Sequence, residues 1–216
     1  DISIINFGNL TSADEEGIRA RVGRNGNVSV SNAGNINAYR DAIYLENGRN
    51  PAPGPNSPDR GRGNLTVHNT GDLSSTEESG IYIGTKRGHS DIVVTNHGAI
   101  NAGLNGIQIA TRRSHGSVLV KNFSPISARN TGIFVGRADA GQSPAIINNH
   151  ALVSGGNGFA IDLWKNGHDT VNLFPGSVLV GAIDFGDGND GMGGNNPDDI
   201  DRLNIMPGLN AELRFA

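Results

Sequence analysis

Basic residues recur at a nearly fixed interval along this chain. Lys86 and Arg87 stand 26 residues before Arg112 and Arg113, Arg137 lies 25 after Arg112, and Lys165 follows 28 later. Arg21 and Arg24 hold the same phase near the start, and Arg49, Arg60 and Arg62 flank its second occurrence. Guanidinium and ammonium groups brought into one line form a site for a polyanion, since each pairs with sulfate, phosphate or carboxylate oxygens. His89 and His115 belong to the same column and add charge at mildly acidic pH. A different phase carries acids: Asp14, Glu15 and Glu16, then Asp41, then Glu77 and Glu78, with Asn105, Asn130 and Asn157 taking over later. A third group is Asp184, Asp187, Asp190, Asp198, Asp199 and Asp201, around the phrase GDGND at 186–190. That phrase partly matches a calcium β-roll, whose sites need tandem copies that each supply half the oxygen ligands. One imperfect copy reads as a solvated acidic loop, with calcium as the alternative. No metal or other cofactor is expected.

Catalytic patterns are missing. The chain has no G-x-S-x-G, H-E-x-x-H, phosphate-binding loop or C-x-x-C. The six His residues show no ligand spacing. A polysaccharide-cleaving site needs paired carboxylates or a base on one exposed strand face. The residues placed outward on the second apolar arm, Arg19, Tyr44, Tyr82, Gln108 and Phe134, do not supply that set. The chain therefore reads as non-enzymatic.

These side chains are placed by a repeat. An Asn closes a short alternating apolar stretch at Asn6, Asn32, Asn69, Asn96, Asn122 and Asn149, with separations of 26, 37, 27, 26 and 27. The longer interval contains an insert, NPAPGPNSPDR, at Asn50 to Arg60. The inward pairs are Ile2/Ile4, Val28/Val30, Leu65/Val67, Ile92/Val94, Val118/Val120 and Ala145/Ile147, and period two marks half-buried strands. One apolar residue follows at Leu10, Ile36, Leu73, Ile100, Ile126 and Val153. A second arm then begins at Ile18, Ile43, Ile81, Ile107, Ile133 and Phe159. Three short strands and three corners per period predict an all-β fold, a right-handed parallel β-helix of about 26 residues per coil. Seven to eight coils at about 4.8 Å each make a rod of about 35 Å. Asn at the corner accepts left-handed backbone, and stacked amides bond along the axis.

The whole chain, 1–216, reads as one solenoid: regular coils over 1–168, a protruding Pro-rich insert at 49–63, and shorter coils with a Gly/Asp-rich loop over 169–216. Gly, at 32 residues, is about twice its ordinary share, as a chain of many turns requires. There is no Cys, so stacking rather than disulfides must hold the coils. No apolar run matches a membrane helix. The first residue is Asp1 rather than Met, which reads as a segment of a longer protein.

The phrase V-x-N-x-G-x-I followed by G-I resembles the passenger repeats of bacterial autotransporters, the type V secretion system. The segment DTVNLFPGSVLVGAIDFGDGND, with DRLNI after it, is similar to the region many such passengers carry ahead of their outer-membrane barrel. The resemblance covers nearly the whole chain. It implies a domain secreted from, or displayed on, a Gram-negative bacterium, with its own C-terminal outer-membrane β-barrel downstream. It also implies a virulence role such as cell adhesion.

In a β-helix, equal phase means one edge of the rod. Arg21, Arg24, Arg60, Arg62, Lys86, Arg87, Arg112, Arg113, Arg137 and Lys165 are thus expected to form a basic ridge parallel to the axis. Its expected partner is an anionic glycan of the glycosaminoglycan type, lipopolysaccharide, or an acidic receptor on a host cell, with the protruding insert as a second contact. Nucleic acid is not expected, because no aromatics interleave with the basic residues. A structural stalk or folding nucleus with activity elsewhere is one alternative, and a polysaccharide-active enzyme is another.

Overall fold

The computed structural model describes residues 1–23, 26–48, 63–85, 89–111, 116–137, 144–164, 168–186 and 200–208. Every regular element among them is a strand, and every pairing is parallel. The first coil comprises β1 (Ile2–Asn6), β2 (Leu10–Ser12) and β3 (Ile18–Val22), and the second β4 (Val28–Asn32), β5 (Ile36–Ala38) and β6 (Ile43–Asn47). The third holds β7 (Leu65–Asn69), β8 (Leu73–Ser75) and β9 (Ile81–Thr85), and the fourth β10 (Ile92–Asn96), β11 (Ile100–Ala102) and β12 (Ile107–Thr111). In the fifth are β13 (Val118–Asn122), β14 (Ile126–Ala128) and β15 (Ile133–Arg137). Then come β16 (Ala145–Asn149), β17 (Leu152–Asp162), β18 (Thr170–Leu173), β19 (Val178–Asp184) and β20 (Arg202–Ile205).

The first strands of successive coils form one eight-stranded sheet, β1-β4-β7-β10-β13-β16-β18-β20. Parallel neighbours joined by a whole coil, with the chain always turning the same way, make a right-handed β-solenoid. About six turns are regular; β18 with β19, and then β20 alone, extend the stack. The interior is built of like residues in register. Ile4, Val30, Val67, Val94, Val120 and Ile147 form one column, and Ile18, Ile43, Ile81, Ile107, Ile133 and Ile161 another. From the second coil onward these residues are almost fully buried, while Ile2, Ile4 and Leu10 of the first coil are only partly covered.

Two details differ from the sequence reading. In the sixth coil Ile161, not Phe159, takes the inward place beside Ile133. The stretch GGNG at 155–158 replaces the corner with continuous strand, so β17 runs 11 residues and serves both back faces with a register shift. The corner Asn residues, moreover, do not adopt left-handed backbone; among the described residues the only non-glycine with positive φ is His168. They are kept for hydrogen bonding instead. Each Nδ2 donates to the Oδ1 of the next coil's Asn: Asn6 to Asn32 (2.7 Å), Asn32 to Asn69 (2.8 Å), Asn69 to Asn96 (2.9 Å), Asn96 to Asn122 (3.0 Å) and Asn122 to Asn149 (2.9 Å). Asn6, Asn32, Asn69 and Asn96 also donate to the carbonyl two residues on, which closes the corner. Leu173 stands in register after Asn149, and the ladder ends there. In the second, third and fourth coils the Gly two residues after the Asn is required by coil stacking: a Cβ on Gly71 would collide with the carbonyl oxygen of Gly34 below it, and one on Gly98 with that of Gly71.

Candidate functional site

The third strands of the coils end together. Thr85, Thr111 and Arg137 are register partners across β9, β12 and β15, so the segments that begin with Lys86 and Arg112 leave from one edge. Lys86, Arg87, Arg112, Arg113, Arg24, Arg60, Arg62 and Lys165 lie outside the described residues, as do the Pro-rich insert from 49 to 62 and His115; Arg137 is described for its backbone alone.

Arg21 is placed differently from the expectation. It lies within β3, in register with Glu46 rather than with the strand ends, and its Nε stands 3.1 Å from Glu46 Oε2. Its Nη2 donates to the Tyr44 hydroxyl at 3.3 Å, and its guanidinium carbon sits 4.9 Å from the centre of that ring. An arginine so engaged with a carboxylate and a ring has its charge largely answered within the protein. Sequence phase missed this by one residue, and the alternation of sides along a strand turns that one residue into a different face.

The outward column Arg19, Tyr44, Tyr82, Gln108 and Phe134 is in continuous register, as expected. It is knitted together rather than open. Tyr44 and Tyr82 stack with ring centres 4.9 Å apart and planes 10° from parallel. The Tyr44 hydroxyl donates to Glu46 Oε2 at 3.1 Å. Gln108 Oε1 accepts from Ser79 Oγ and Asn105 Nδ2, both at 2.9 Å. Burial pushes the Tyr82 phenol up to about 12, with Tyr44 and the carboxylates of Glu46 and Asp41 adding to the effect. The Tyr82 ring lies over Gly84, and the Tyr44 hydroxyl links Arg21 to Glu46.

The acidic corner holds a strongly perturbed group. Asp41 is 2% exposed, and burial pushes its carboxyl up to about 8, with Glu78 and Glu16 adding like charge. Its Oδ1 accepts the Ser79 backbone N–H at 2.9 Å. In sequence the signal was faint: Asp41 follows Glu16 in a column that Ser79, Asn105 and Thr131, all buried and neutral, hold in the later coils.

At the far end Asp184 Oδ1 accepts from the Gly186 N–H, and Asp201 Oδ1 from the Asp169 N–H, both at 2.8 Å. Asp187, Asp190, Asp198 and Asp199 lie outside the described residues. Among the described residues no group of three or more His, Asp or Glu is arranged to hold a metal ion. His97 and His150 face outward beside the Asn ladder, and they join a ring stack. His97 lies 4.5 Å from Phe123, Phe123 4.6 Å from His150, and His150 4.2 Å from Phe174, all close to parallel. Burial in that stack lowers the His150 pKa.

Fold and geometry thus define a parallel β-solenoid whose corners are held by an asparagine ladder and in which Arg21, Tyr44, Glu46 and Tyr82 engage one another. No protein-family model, curated protein or solved structure matches the chain.

Proposed function

We propose that the chain is a non-catalytic attachment rod that holds an anionic glycan, or an acidic receptor surface, along one long edge. In this reading it is part of an autotransporter passenger, secreted from or displayed on a Gram-negative bacterium and linked to its own β-barrel. The single observation that supports it most is the register of Thr85, Thr111 and Arg137 at the ends of β9, β12 and β15. Lys86, Arg87, Arg112 and Arg113 follow those ends directly in sequence. Cations issuing from points about 4.8 Å apart repel one another until a polyanion lies across them.

The test is retention on immobilised heparin. The protein is expected to bind at low salt and elute as salt screens the contact, and the variant with Lys86, Arg87, Arg112 and Arg113 changed to Glu is expected to flow through. Arg129→Glu, at a different and exposed corner, should elute with the wild type. Passage of the wild-type protein unretained at low salt, or equal retention of the fourfold variant, overturns the reading.

A further inference from the structure

The outward residues of the short second strands form a row. Thr11, Asn37, Ser74, Asn101 and Ser127 are register partners across β2, β5, β8, β11 and β14, and Ser154 of β17 continues the line. Adjacent members are therefore about 4.8 Å apart along the axis. The row floors a groove of about 680 Å³ that runs over five coils, with Asn9, Asn35, Asp72, Ala99 and Pro125 along one side.

What separates this row from the other polar columns is that its groups are unspent. The corner amides are consumed by their own ladder. On the groove wall, Asn9, Asn35 and Asp72 each turn Oδ1 to the backbone N–H of the next coil, at 2.9, 3.0 and 2.9 Å. A second capping column, Asn27, Asn64 and Asp91, does the same. On the first sheet Asn148, Asn172 and Asn204 bond side chain to side chain. By contrast Thr11, Asn37, Ser74, Asn101 and Ser127 make no side-chain hydrogen bond within the described protein, and all but Ser74 are well exposed. The Nδ2 groups of Asn9 and Asn35 on the wall are likewise without a protein partner.

We infer that this groove is a binding site for a neutral linear polysaccharide lying along the solenoid axis. Hydroxyl and carboxamide groups donate and accept alike, as sugar hydroxyls do. The pyranose units of an extended β-linked glycan repeat at nearly the interval of the coils, so successive sugars meet successive side chains. Asp72 is the only ionisable side chain in the lining, which selects against sulfated or uronic polymers and sets this site apart from the basic edge. An extended peptide is a poorer fit. It would seek free backbone groups at a sheet edge, whereas this floor is a sheet face whose backbone is already paired coil to coil. The lining holds no aromatic ring, so recognition rests on many modest hydrogen bonds spread along the polymer.

Native affinity electrophoresis tests the site directly. Gels contain a soluble β-1,4-glucan, a β-1,3-glucan or a β-1,4-mannan, with polygalacturonate as the anionic comparison. At least one neutral polymer should retard the protein, and 0.5 M salt should leave that retardation in place. The double variant Asn37→Ala/Asn101→Ala should bind about tenfold more weakly, at a loss of roughly threefold per site. Ser74→Trp, which fills the middle of the groove from a partnerless side chain, should abolish it. Circular dichroism confirms that each variant keeps the wild-type fold. Absence of retardation by all three neutral glycans overturns the proposal, as does retardation that the groove variants leave unchanged. Salt-sensitive binding to polygalacturonate alone assigns recognition to the basic edge and overturns the groove. Loss of heparin retention, conversely, leaves the neutral-glycan result untouched, so the two sites fail separately.

Discussion

Removing a fully buried amide of the asparagine ladder should cost far more than removing the partly exposed one in the first coil. Asn96 is fully buried, donates to Gly98 O at 2.8 Å and to Asn122 Oδ1 at 3.0 Å, and accepts from Asn69 Nδ2 at 2.9 Å. Truncation to Ala strands the Gly98 carbonyl and the Asn122 Oδ1 in a dry corner, while Asn69 Nδ2 keeps its bond to Gly71 O. Two stranded acceptors at about 1–3 kcal/mol each predict a loss of roughly 3–5 kcal/mol once the small cavity is included. Asn6 makes the corresponding donations to Gly8 O and Asn32 Oδ1, but it is only partly buried. Water can replace both bonds, so Asn6→Ala should cost about 1 kcal/mol or less. Urea unfolding followed by far-UV circular dichroism reads the difference. At an m-value of about 2–3 kcal/mol/M, Asn96→Ala should lower the midpoint by roughly 1–2 M and Asn6→Ala by less than about 0.5 M. Equal midpoints for the two variants, or a shift for Asn96→Ala below about 0.5 M, would refute the argument that burial makes the ladder costly to break.

The buried carboxyl predicts a pH dependence of known sign. Because the folded state raises Asp41 from 3.8 to about 8, it binds this proton more tightly than the unfolded chain does. The stability involved is complete below about pH 4 and is lost as pH rises through 8, over a range of a few kcal/mol. Asp41→Asn should flatten that slope and melt above the wild type at pH 9, because Asn105 already fills this column by accepting the Thr131 N–H through Oδ1; a lower melting point at pH 9 would contradict it. Gly71→Ala should destabilise by more than about 2 kcal/mol through backbone collision with Gly34, whereas Gly8→Ala, with no atom within 4 Å of the new Cβ, should stay within about 0.5 kcal/mol in the same urea assay. Phe123→Ala opens the stack between His97 and His150, so NMR titration should find the His150 pKa moved up towards its ordinary value; an unmoved pKa would show that the ring does not desolvate it.

The physical contrast between the two proposed surfaces is one of charge and geometry. The edge lies where third strands end and cationic segments begin, and its affinity should follow salt. The groove lies on a strand face with one acid in its lining, and its affinity should follow the number of hydroxyls engaged.

Much of the architecture was legible in the amino-acid order. The 26-residue recurrence of Asn, with alternating Ile, Val and Leu before it, is a local pattern, and stacking like residues in register is the way such a pattern buries every repeat at once. The outward column from Arg19 to Phe134 followed from the same alternation. What the chain's order left undecided are relations between coils. GGNG moved Ile161 into the place expected for Phe159, because extra residues change phase without changing composition. Arg21 and Glu46 are 25 positions apart and meet only after stacking, which turns an expected free cation into a paired one. Asp41 looked like any turn acid until a coil closed over it. The same holds for the two kinds of polar column: Asn9, Asn35 and Asp72 resemble Asn37, Ser74 and Asn101 in residue type, yet one set caps the backbone above it and the other faces open space. Residue order determines which side of a strand a group occupies, and the neighbouring coil alone determines whether that group is already satisfied.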